Sequence, residues 1–456
     1  MIPESWRQGV VAVVGLGKSG VAATRLLARE GVRVYASDAA DHPYGGDALA
    51  ELRGLAGVDV DVGRHDLAKI RATRAVVVSP GVPPDAPPLA AARAAGVPIL
   101  SEIDLGFLAL AGTGVAGAGP RAVAITGTNG KTTTTALVAH LLRVAGLSAE
   151  AVGNIGRPLA GIAVSGQRYQ WLAIEVSSFQ LHDSPHFAPE IGIVTNLAPD
   201  HLDRYPSVAA YYGDKQLLFR NAAADRVWVL NGDDPAVLEL ARGAAGRHVL
   251  FSLRRPADGW YDAAGRRLLL GGRALLDRDA LPLLGDHNVA NALAAALAVH
   301  EAGVAPGVIG EGLRSFRALP HRLEPVREVN GVLWINDSKA TNIASTVVAV
   351  EAMSRPFVLL LGGRHKGEPY TRLGPLLKPK CRLVIAYGES GPIVEQDLKG
   401  QVPLERGTTF DDVVARARRA ARPGDAVLLS PACSSYDMFK NYEERGATFR
   451  KLVEQM

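Results

Sequence analysis

Short runs of aliphatic and β-branched residues, each ending in a glycine or a polar turn and followed by a helical segment, recur along the whole chain. The first three successive runs are VVAVVGLGKSG, VRVYASD and AVVVSPGV. Strands that alternate with helices in this way predict parallel sheets with helices on both faces. Because ligands bind at the carboxyl ends of strands in such sheets, the polar turns are the candidate functional positions.

Two stretches interrupt this pattern and predict domain boundaries. The first, AGTGVAGAGP at residues 111–120, is small and uncharged, and the second, FRALPHRLEPV, contains two prolines. A chain of 456 residues is long enough for two or three domains. We therefore predict three α/β domains: a Rossmann-like N-terminal domain over residues 1–112, a central ATPase-type domain with a phosphate loop and a parallel sheet over residues 121–317, and a Rossmann-like C-terminal domain over residues 320–456.

Composition and charge exclude several classes of protein. The formal net charge is only +4, and no basic block with interleaved aromatic residues occurs, so nucleic-acid binding is not predicted. The two cysteines, Cys381 and Cys433, match no metal-binding spacing and are predicted to be reduced thiols of a cytosolic protein. The N-terminus lacks a signal-peptide pattern, and no run of about 18 uncharged apolar residues predicts a membrane span. These features predict a cytoplasmic protein.

The segment AITGTNGKTTTTALVAH has the form of a nucleotide phosphate loop between a strand and a helix. Its glycines let backbone N–H groups approach phosphate oxygens, and the helix N-terminus adds positive potential. Lys131 can neutralise the β- and γ-phosphates, and the hydroxyl of Thr132 can ligate Mg²⁺. Ile125 stands where the common pattern has its first glycine, so this loop is a shorter variant. A glycine-rich turn with an incidental lysine is the alternative, against which the strand–loop–helix context argues.

A second glycine loop, GLGKSG at residues 15–20, follows the first strand, and Asp38 follows the next one. Taken alone, this dinucleotide fingerprint indicates an NAD enzyme. Physically it requires only a diphosphate at a helix N-terminus, which a UDP-sugar supplies equally well. The separate phosphate loop, and the lack of a candidate hydride-transfer site in the sequence, argue against hydride transfer.

An ordered series of motifs covers essentially the whole chain. The motifs are GLGKSG, SPGVP, GTNGKTTT, GNIGRP, EVSSFQL, NLAPDHLDRY, GDHNVANALAA, PHRLE, INDSKATN, LLGGRHKG and LSPACSSYDMFKNYEERG. In this order the motifs resemble the Mur ligase family of peptidoglycan synthesis, and the last four are similar to its D-glutamate-adding branch rather than to the sister enzymes.

The resemblance implies an ATP-dependent amide ligase that adds D-glutamate to UDP-N-acetylmuramoyl-L-alanine. In this reaction a substrate carboxylate attacks the γ-phosphoryl group of ATP to give an acyl phosphate, and the amine of the amino acid then displaces phosphate. Both nucleophiles belong to substrates, which agrees with the lack of a convincing Ser–His–Asp or Cys–His set in the sequence. The protein must position groups and balance negative charge. A monomer is the family expectation.

The resemblance further implies a catalytic set of Lys131, Glu175, His201 and Lys215. Thr132 and Glu175 would share one Mg²⁺, and His201 would ligate a second. Lys215 matches a lysine that is carbamylated in the family; a carbamate offers anionic oxygens to Mg²⁺ but forms only from a neutral amine. From the residues alone, Glu175 could be a surface acid, His201 a structural histidine and Lys215 a helix-surface lysine.

The implied ATP site draws on the phosphate loop, on two asparagines and on the third domain. Asn288 and Asn291 are one helical turn apart and so share a face, although a helix-start cap is the alternative for Asn288. The implied ATP-binding residues are Gly127, Thr128, Asn129, Gly130, Lys131, Thr132, Thr133, Asn288, Asn291, Arg322, Asp337 and Lys339.

The other two substrates have their own implied residues. D-Glutamate carries two carboxylates, which a cation with hydroxyl and backbone donors can receive. His365 departs from the family, which often has an acid just before Lys366, and leaves the geometry of that loop open; Tyr442 stands where phenylalanine is also familiar. The implied D-glutamate residues are Thr341, Lys366, Ser435 and Tyr442. The implied UDP-substrate residues are Lys18 (alternatively a solvated side chain), Ser19, Asp38, Gly81 and Asn154.

Three alternative functions remain open at this point. They are a sister amide ligase with another amino acid, a nucleotide-binding regulator without ligation chemistry, and an NAD dehydrogenase. The third-domain motifs argue against the sister ligase. The joint presence of the implied catalytic and metal-binding residues argues against the regulator.

Overall fold

The computed structural model describes residues 2–41, 46–111, 119–201 and 204–456. These residues form three separate sheets of five, nine and six strands, which confirms the predicted three-domain α/β fold. The chain divides into two compact units, Met1–Ala280 with Ala290–Arg314 and Leu281–Val289 with Ser315–Met456. Residues 112–118 of the predicted first linker lie outside the described residues, and the exact domain limits stay predictions.

The N-terminal domain contains a parallel five-stranded sheet. Its strands are β1 (Val10–Val14), β2 (Arg33–Asp38), β3 (Val58–Val62), β4 (Ala75–Val78) and β5 (Ile99–Ser101). Its helices are α1 (Glu4–Arg7), α2 (Lys18–Arg29), α3 (Gly46–Gly54), α4 (Leu67–Arg71), α5 (Pro87–Ala94) and α6 (Glu102–Leu110). The order β3-β2-β1-β4-β5 reverses beside β1, so the loops after β1 and β4 border a ligand-binding crevice.

Strand β3 corrects the prediction of three successive strands in this domain, because it lies between the second and third of them in the sequence. Its sequence VDVDV alternates apolar and acidic residues, and most of it is only half-buried. Such alternation suits the edge of a sheet, where β3 lies, and it differs from the continuous apolar runs of the buried strands.

The central domain is built around β6, which leads into the phosphate loop. Its strands are β6 (Arg121–Thr126), β7 (Ala149–Gly153), β8 (Trp171–Glu175), β9 (Ile191–Val194), β10 (Val227–Asn231), β11 (Arg247–Ser252), β12 (Gly259–Asp262), β13 (Arg267–Leu270) and β14 (Arg273–Asp277). Its helices are α7 (Lys131–Val144), α8 (Leu159–Ser165), α9 (Ser178–His182), α10 (Val208–Gln216), α11 (Pro235–Leu240), α12 (Asp286–Glu301) and α13 (Pro306–Ser315). The order is β14-β13-β12-β11-β10-β9-β6-β8-β7. The sheet is parallel from β7 to β12, and β13 and β14 extend it with antiparallel strands that the sequence did not predict.

The C-terminal domain has a six-stranded sheet with an antiparallel edge strand. Its strands are β15 (Glu324–Val329), β16 (Val332–Asn336), β17 (Phe357–Gly362), β18 (Cys381–Tyr387), β19 (Leu404–Arg406) and β20 (Ala426–Leu429), in the order β15-β16-β20-β17-β18-β19. Its helices are α14 (Ile343–Glu351), α15 (Gly374–Leu377), α16 (Gly391–Leu398), α17 (Phe410–Ala420) and α18 (Tyr442–Glu454). Alternate residues of β17 enter two different cores, Phe357, Leu359 and Leu361 on one face and Val358 and Leu360 on the other.

Glu102 is a buried acid where the N-terminal and central domains pack together. It begins α6, and its Oε1 accepts a hydrogen bond from the backbone N of Ala160 in α8 at 2.6 Å. Burial raises the pKa of Glu102 from 4.5 to about 7, although hydrogen bonds from Ala160 and from the Ser19 side chain partly oppose the shift. Folding therefore favours the protonated side chain of Glu102 over its carboxylate form.

We expect Glu102→Gln to stabilise the protein at alkaline pH. A raised pKa contributes stability that is fully present below pH 4.5 and is lost as the pH rises through about 7. Glutamine keeps an oxygen for Ala160 but cannot ionise, so the variant's free energy of unfolding should exceed the wild-type value by roughly 1–3 kcal/mol at pH 8, and the difference should shrink towards pH 4.5. Urea denaturation at both pH values measures this, with the exposed Glu4→Gln as control; an equal difference at the two pH values would contradict the prediction.

Candidate active site

The phosphate loop joins β6 to α7 and folds back on its own carbonyl groups. Gly127 and Gly130 have φ angles of 137° and 82°, and α7 begins at Lys131 directly after them. The Nζ of Lys131 donates hydrogen bonds to the backbone oxygens of Gly127 and Thr128 at 3.0 and 2.8 Å. The loop therefore combines a helix N-terminus with a lysine ammonium, which is an arrangement suited to phosphate.

The loop after β9, the neighbour of β6, braces the phosphate loop. Thr195 Oγ1 donates to the backbone oxygen of Asn129 at 2.6 Å, and Asn196 Oδ1 accepts from the backbone N of Asn129 at 3.0 Å. A Cβ at Gly127 would lie 2.1 Å from Thr195 Oγ1, so this close approach requires glycine. Thr195 and Asn196 had no predicted role, although their position directly after a strand was a usable signal.

Lys215 lies on α10 and is only 1% exposed, so it is not the helix-surface lysine that its sequence alone permits. Its Nζ donates to the backbone oxygen of Gly127 at 2.8 Å and lies 4.6 Å from the centre of the Tyr211 ring. Burial lowers the pKa of Lys215 well below 10.5, and the positive charge of Lys131 lowers it further. The surroundings thus favour the neutral amine.

Glu175 ends β8, beside the phosphate-loop strand, and is only 3% exposed. Its Oε1 accepts a hydrogen bond from Asn154 Nδ2 at 3.1 Å, whereas its Oε2 is buried and has no hydrogen-bond partner in the described part of the chain. A buried carboxylate oxygen without a partner is unfavourable, and a divalent cation would satisfy it. Glu175 is therefore not a surface acid, and Asn154, predicted for the UDP substrate, lies against it.

The remaining predicted metal ligands border the same region. His201 has a φ of 54°, its side chain is 47% exposed, and its ring centre lies 5.3 Å from that of Phe179. Thr132 and Thr133 are the second and third residues of α7 and are half-buried. Within the described ranges, no three or more His, Cys, Asp or Glu side chains form a group that could hold a metal ion. A metal here would also need oxygens from Thr132, a carbamate or a phosphate.

Of the two predicted nucleotide-binding asparagines, Asn291 contacts the phosphate-loop region. Its Oδ1 accepts from Thr134 Oγ1 at 3.2 Å, and a Cβ on Gly130 would lie 2.3 Å from the same oxygen. Asn288, one turn earlier on α12, is buried, and its Nδ2 donates to the backbone oxygen of Leu284 at 2.8 Å. This bond ties Asn288 to the segment before its helix.

A cavity of about 580 Å³ opens where the strand order of the N-terminal sheet reverses. The carboxylate of Asp38 accepts from the backbone N of Leu16 at 2.6 Å and of Ala40 at 2.8 Å, so it shapes the wall of this cavity. His65, which sequence analysis did not single out, also lines it. The predicted UDP-substrate residues that line it are Lys18, Ser19, Asp38 and Gly81.

A second cavity, of about 240 Å³, lies next to the first and is lined by both the N-terminal and the central domain. Arg204 stacks over the ring of Phe179 at 4.0 Å and donates to the backbone oxygen of Val82 at 3.1 Å. Gln180 also lines the cavity and is almost wholly buried. The motifs EVSSFQL and PDHLDRY contain these side chains, but nothing local shows that they face a shared cavity.

In the C-terminal domain, Arg445 joins the loops that follow β16 and β20. This wholly buried arginine donates from Nε to Ser338 Oγ at 3.0 Å and from one terminal nitrogen to the backbone oxygens of Ser338 and Cys433 at 2.8 and 3.1 Å. Asp337, also buried, accepts from Ser430 Oγ at 2.8 Å, and burial raises the pKa of Asp337 to about 7. Asp337 was a predicted site residue, whereas Arg445 had no predicted role because its partners are distant in sequence.

The predicted D-glutamate residues surround these same loops. Arg364 N donates to the backbone oxygen of Ser434 at 2.9 Å and so joins the loops after β17 and β20. The Nζ of Lys339 lies 5.2 Å from the centre of the Tyr442 ring, and Arg322 is half-buried just before β15. The predicted residues are Thr341 before α14, exposed Lys366 after β17, Ser435 after β20 and Tyr442 at the start of α18.

Family models match three parts of the chain: the Mur ligase MurD-like N-terminal domain over residues 9–101, the Mur ligase middle domain over residues 125–299 and the Mur ligase glutamate ligase domain over residues 321–433. The chain therefore belongs to the Mur ligase family. It is 42% identical to the UDP-N-acetylmuramoylalanine–D-glutamate ligase of Salinibacter ruber, with 100% of each chain covered. It is 39% identical to the enzyme of that name from Solibacter usitatus, with 98% of each covered.

Solved structures share the fold over most of the chain. The UDP-N-acetylmuramate-alanine ligase MurC of Thermotoga maritima has a TM-score of 0.62 at 20% identity, covering 98% of this chain and 99% of that one. The MurF ligase of Thermotoga maritima in complex with ADP has a TM-score of 0.58 at 17% identity, covering 85% of this chain and 91% of that one. Among the described helices, none has the length and apolar character needed to cross a membrane.

Proposed function

We propose that this protein is an ATP-dependent ligase that adds D-glutamate to UDP-N-acetylmuramoyl-L-alanine in the cytoplasm, acting as a monomer. Full-length relatives named for this reaction support the proposal. The observation that carries it is the shared acceptor in the phosphate loop: Lys131 and Lys215 both donate to the backbone oxygen of Gly127. Two ammonium groups at one carbonyl repel each other, which favours a neutral Lys215 beside a charged Lys131.

The proposed reaction has two steps. The carboxylate of the muramoyl-alanine substrate attacks the γ-phosphorus of ATP, so that a carboxyl–phosphate bond forms and ADP leaves. The amine of D-glutamate then attacks the acyl carbon, an amide bond forms, and inorganic phosphate and a proton leave. Lys131 and the N-terminus of α7 bind the phosphates of ATP and hold the γ-phosphorus in line with the incoming carboxylate.

The neutral amine of Lys215 would be converted to a carbamate. Its Nζ lone pair attacks the carbon of CO₂, an N–C bond forms and one proton leaves, so that the ammonium is replaced by an anionic group with two oxygens. Burial of Lys215 supplies the neutral form that this step needs. The phosphate-loop region would then hold one lysine cation, Lys131, and one carbamate anion.

The residues at the carboxyl ends of the central-domain strands have side chains that fit Mg²⁺. Glu175 Oε2 is buried without a hydrogen-bond partner among the described residues. Thr132, in the first turn of α7, offers a hydroxyl, and His201, after β9, offers an imidazole. We assign Thr132 and Glu175 to one ion, and His201 with carbamylated Lys215 to a second. When bound, the ions would neutralise phosphate charge.

The three domains would each bind one substrate. The cavity at the strand-order reversal of the N-terminal domain, residues 1–112, would take the UDP group, with its diphosphate near Ser19 at the start of α2. The central domain, residues 121–317, would bind ATP through its phosphate loop and the N-terminus of α7. The C-terminal domain, residues 320–456, would bind D-glutamate through the predicted residues of its loops.

Phosphate release from ATP in the presence of UDP-N-acetylmuramoyl-L-alanine tests the proposal. D-Glutamate, L-glutamate, L-alanine and L-lysine are compared side by side. We expect release with D-glutamate alone. Release with another amino acid would identify a sister ligase, and no release with any of them would contradict ligase activity.

A further inference from the structure

The loops that carry Lys366 and Ser435 are joined by an antiparallel backbone bridge. Arg364 N donates to the Ser434 backbone oxygen at 2.9 Å, and Ser434 Oγ donates to the Arg364 backbone oxygen at 3.4 Å. Lys366 is two residues beyond this bridge on one loop, and Ser435 is one residue beyond it on the other. The bridge alone therefore leaves the chain between Arg364 and Lys366 to be fixed by other contacts.

A line of side-chain contacts connects the same two loops. The Nδ1 of His365 lies 3.2 Å from the hydroxyl of Tyr370, and this hydroxyl lies 2.8 Å from Cys433 Sγ. Cys433 Sγ in turn donates to Ser390 Oγ at 3.5 Å. Tyr370 is 1% exposed and Cys433 is fully buried, so water does not compete for the contact between these two side chains. His365 is half-buried at the outer end of the line.

Tyr370 is a fixed anchor for this line. Its backbone N donates to Asp397 Oδ2 of α16 at 2.8 Å, and its ring packs in the core of the C-terminal domain. The ring centre of His365 lies 5.6 Å from that of Tyr370, so the two side chains are also in contact as rings. His365 is thus held by a group whose own position is set by α16 and by the core.

We propose that His365 is a positioning residue for the amino-acid substrate. Through Tyr370 and Cys433 it holds the loop of Lys366 beside the loop of Ser435, so that the lysine ammonium and the serine hydroxyl reach the same ligand. The inference rests on the proposed function, in which these loops bind D-glutamate. A loop that must be ordered at each binding event binds more weakly, whereas a loop already held in place does not incur that entropy loss.

The test measures KM and kcat for each substrate in His365→Ala and Tyr370→Phe. We expect either variant to raise KM for D-glutamate about three- to tenfold, the effect of one neutral hydrogen bond, and to leave kcat and the KM values for ATP and the UDP substrate within about twofold. The double variant should have a KM for D-glutamate no higher than that of the more impaired single variant, because both substitutions remove the contact between His365 and Tyr370. His365→Asn, which keeps a polar group near the position of Nδ1, should recover most of the affinity.

The two buried cysteines provide a matched control. Cys433→Ala removes the inner contact of Tyr370 and should raise KM for D-glutamate, whereas Cys381→Ala, at the opposite end of the sheet where β18 begins, should not. Unchanged KM for D-glutamate in His365→Ala and Tyr370→Phe would overturn the inference. So would parallel losses for all three substrates with a lowered Tm, which indicate a structural role only. The wild type separates the two proposals: without D-glutamate-dependent release both fail, whereas release with unaffected variants overturns this inference alone.

Discussion

Lys215→Ala is expected to abolish ligation, with kcat lowered about 10³-fold or more. The side chain lies wholly buried against the phosphate loop, and in our proposal it supplies a carbamate to the metal site. Alanine removes both the amine and the anion derived from it. Excess bicarbonate should not rescue this variant because no amine remains, whereas a short added carboxylate such as formate should restore part of the activity.

A second variant and a control test whether Lys215 acts as a carbamate or as an unmodified lysine. Lys215→Arg keeps a positive charge but cannot be carbamylated, and it should be as inactive as Lys215→Ala. Lys69→Ala, at an exposed lysine of the N-terminal domain, is the control and should retain wild-type rates. With ¹³C-labelled bicarbonate, the wild type should show a carbamate carbon resonance that both Lys215 variants lack. Full activity in Lys215→Ala or Lys215→Arg would show the carbamate proposal to be wrong.

Glu175→Gln is expected to lower kcat about 10²- to 10³-fold and to raise the Mg²⁺ concentration needed for half-maximal rate. The amide can still accept the hydrogen bond of Asn154, but it lacks the negative charge that a hard cation prefers. KM for the UDP substrate should change little, because the amide keeps the hydrogen bond of Asn154 and the cavity that would bind UDP lies in the N-terminal domain. Titration of Mg²⁺ at saturating substrates measures the effect.

Glu190→Gln is the matched control for this prediction. Glu190 directly precedes β9 at the opposite, amino end of the same sheet, and its Oε2 accepts from the backbone N of Ala122 at 2.6 Å, which glutamine can also do. We expect its Mg²⁺ dependence to match the wild type. A Glu175→Gln variant whose Mg²⁺ dependence is unchanged would remove Glu175 from the metal site.

Much of the fold could be predicted because its signals are local. The apolar runs, the glycines after β1 and β6 and the lysine at the start of α7 all appear within short segments, and the structure confirms the elements that they predict. The acidic alternation of β3 was the exception, since a half-buried edge strand gives a weaker signal. Family motifs added the order of the domains and the reaction, which no single segment contains.

The candidate site was predicted less completely, because hydrogen bonds between distant residues are not visible locally. Asp38 accepts hydrogen bonds from two loops, at Leu16 after β1 and at Ala40 after β2, and Asn154 contacts Glu175. Arg445 and Tyr370 had no predicted role because their hydrogen-bond partners lie on other loops. Their side chains have ordinary positions in a helix and in a short 3₁₀ turn, and only packing reveals what they connect.

By itself, the sequence determined that this chain forms three α/β domains with a phosphate loop in the second, since strand, turn and helix preferences act over a few residues. Only the tertiary structure decided which polar groups are buried and shared. Lys215 and Gly127 are 88 residues apart in the sequence. The helix that carries Lys215 contains both polar and apolar residues, so its sequence does not show that the lysine is buried. Burial against the phosphate loop lowers the pKa of this lysine, and burial is a property of the packed molecule rather than of any segment.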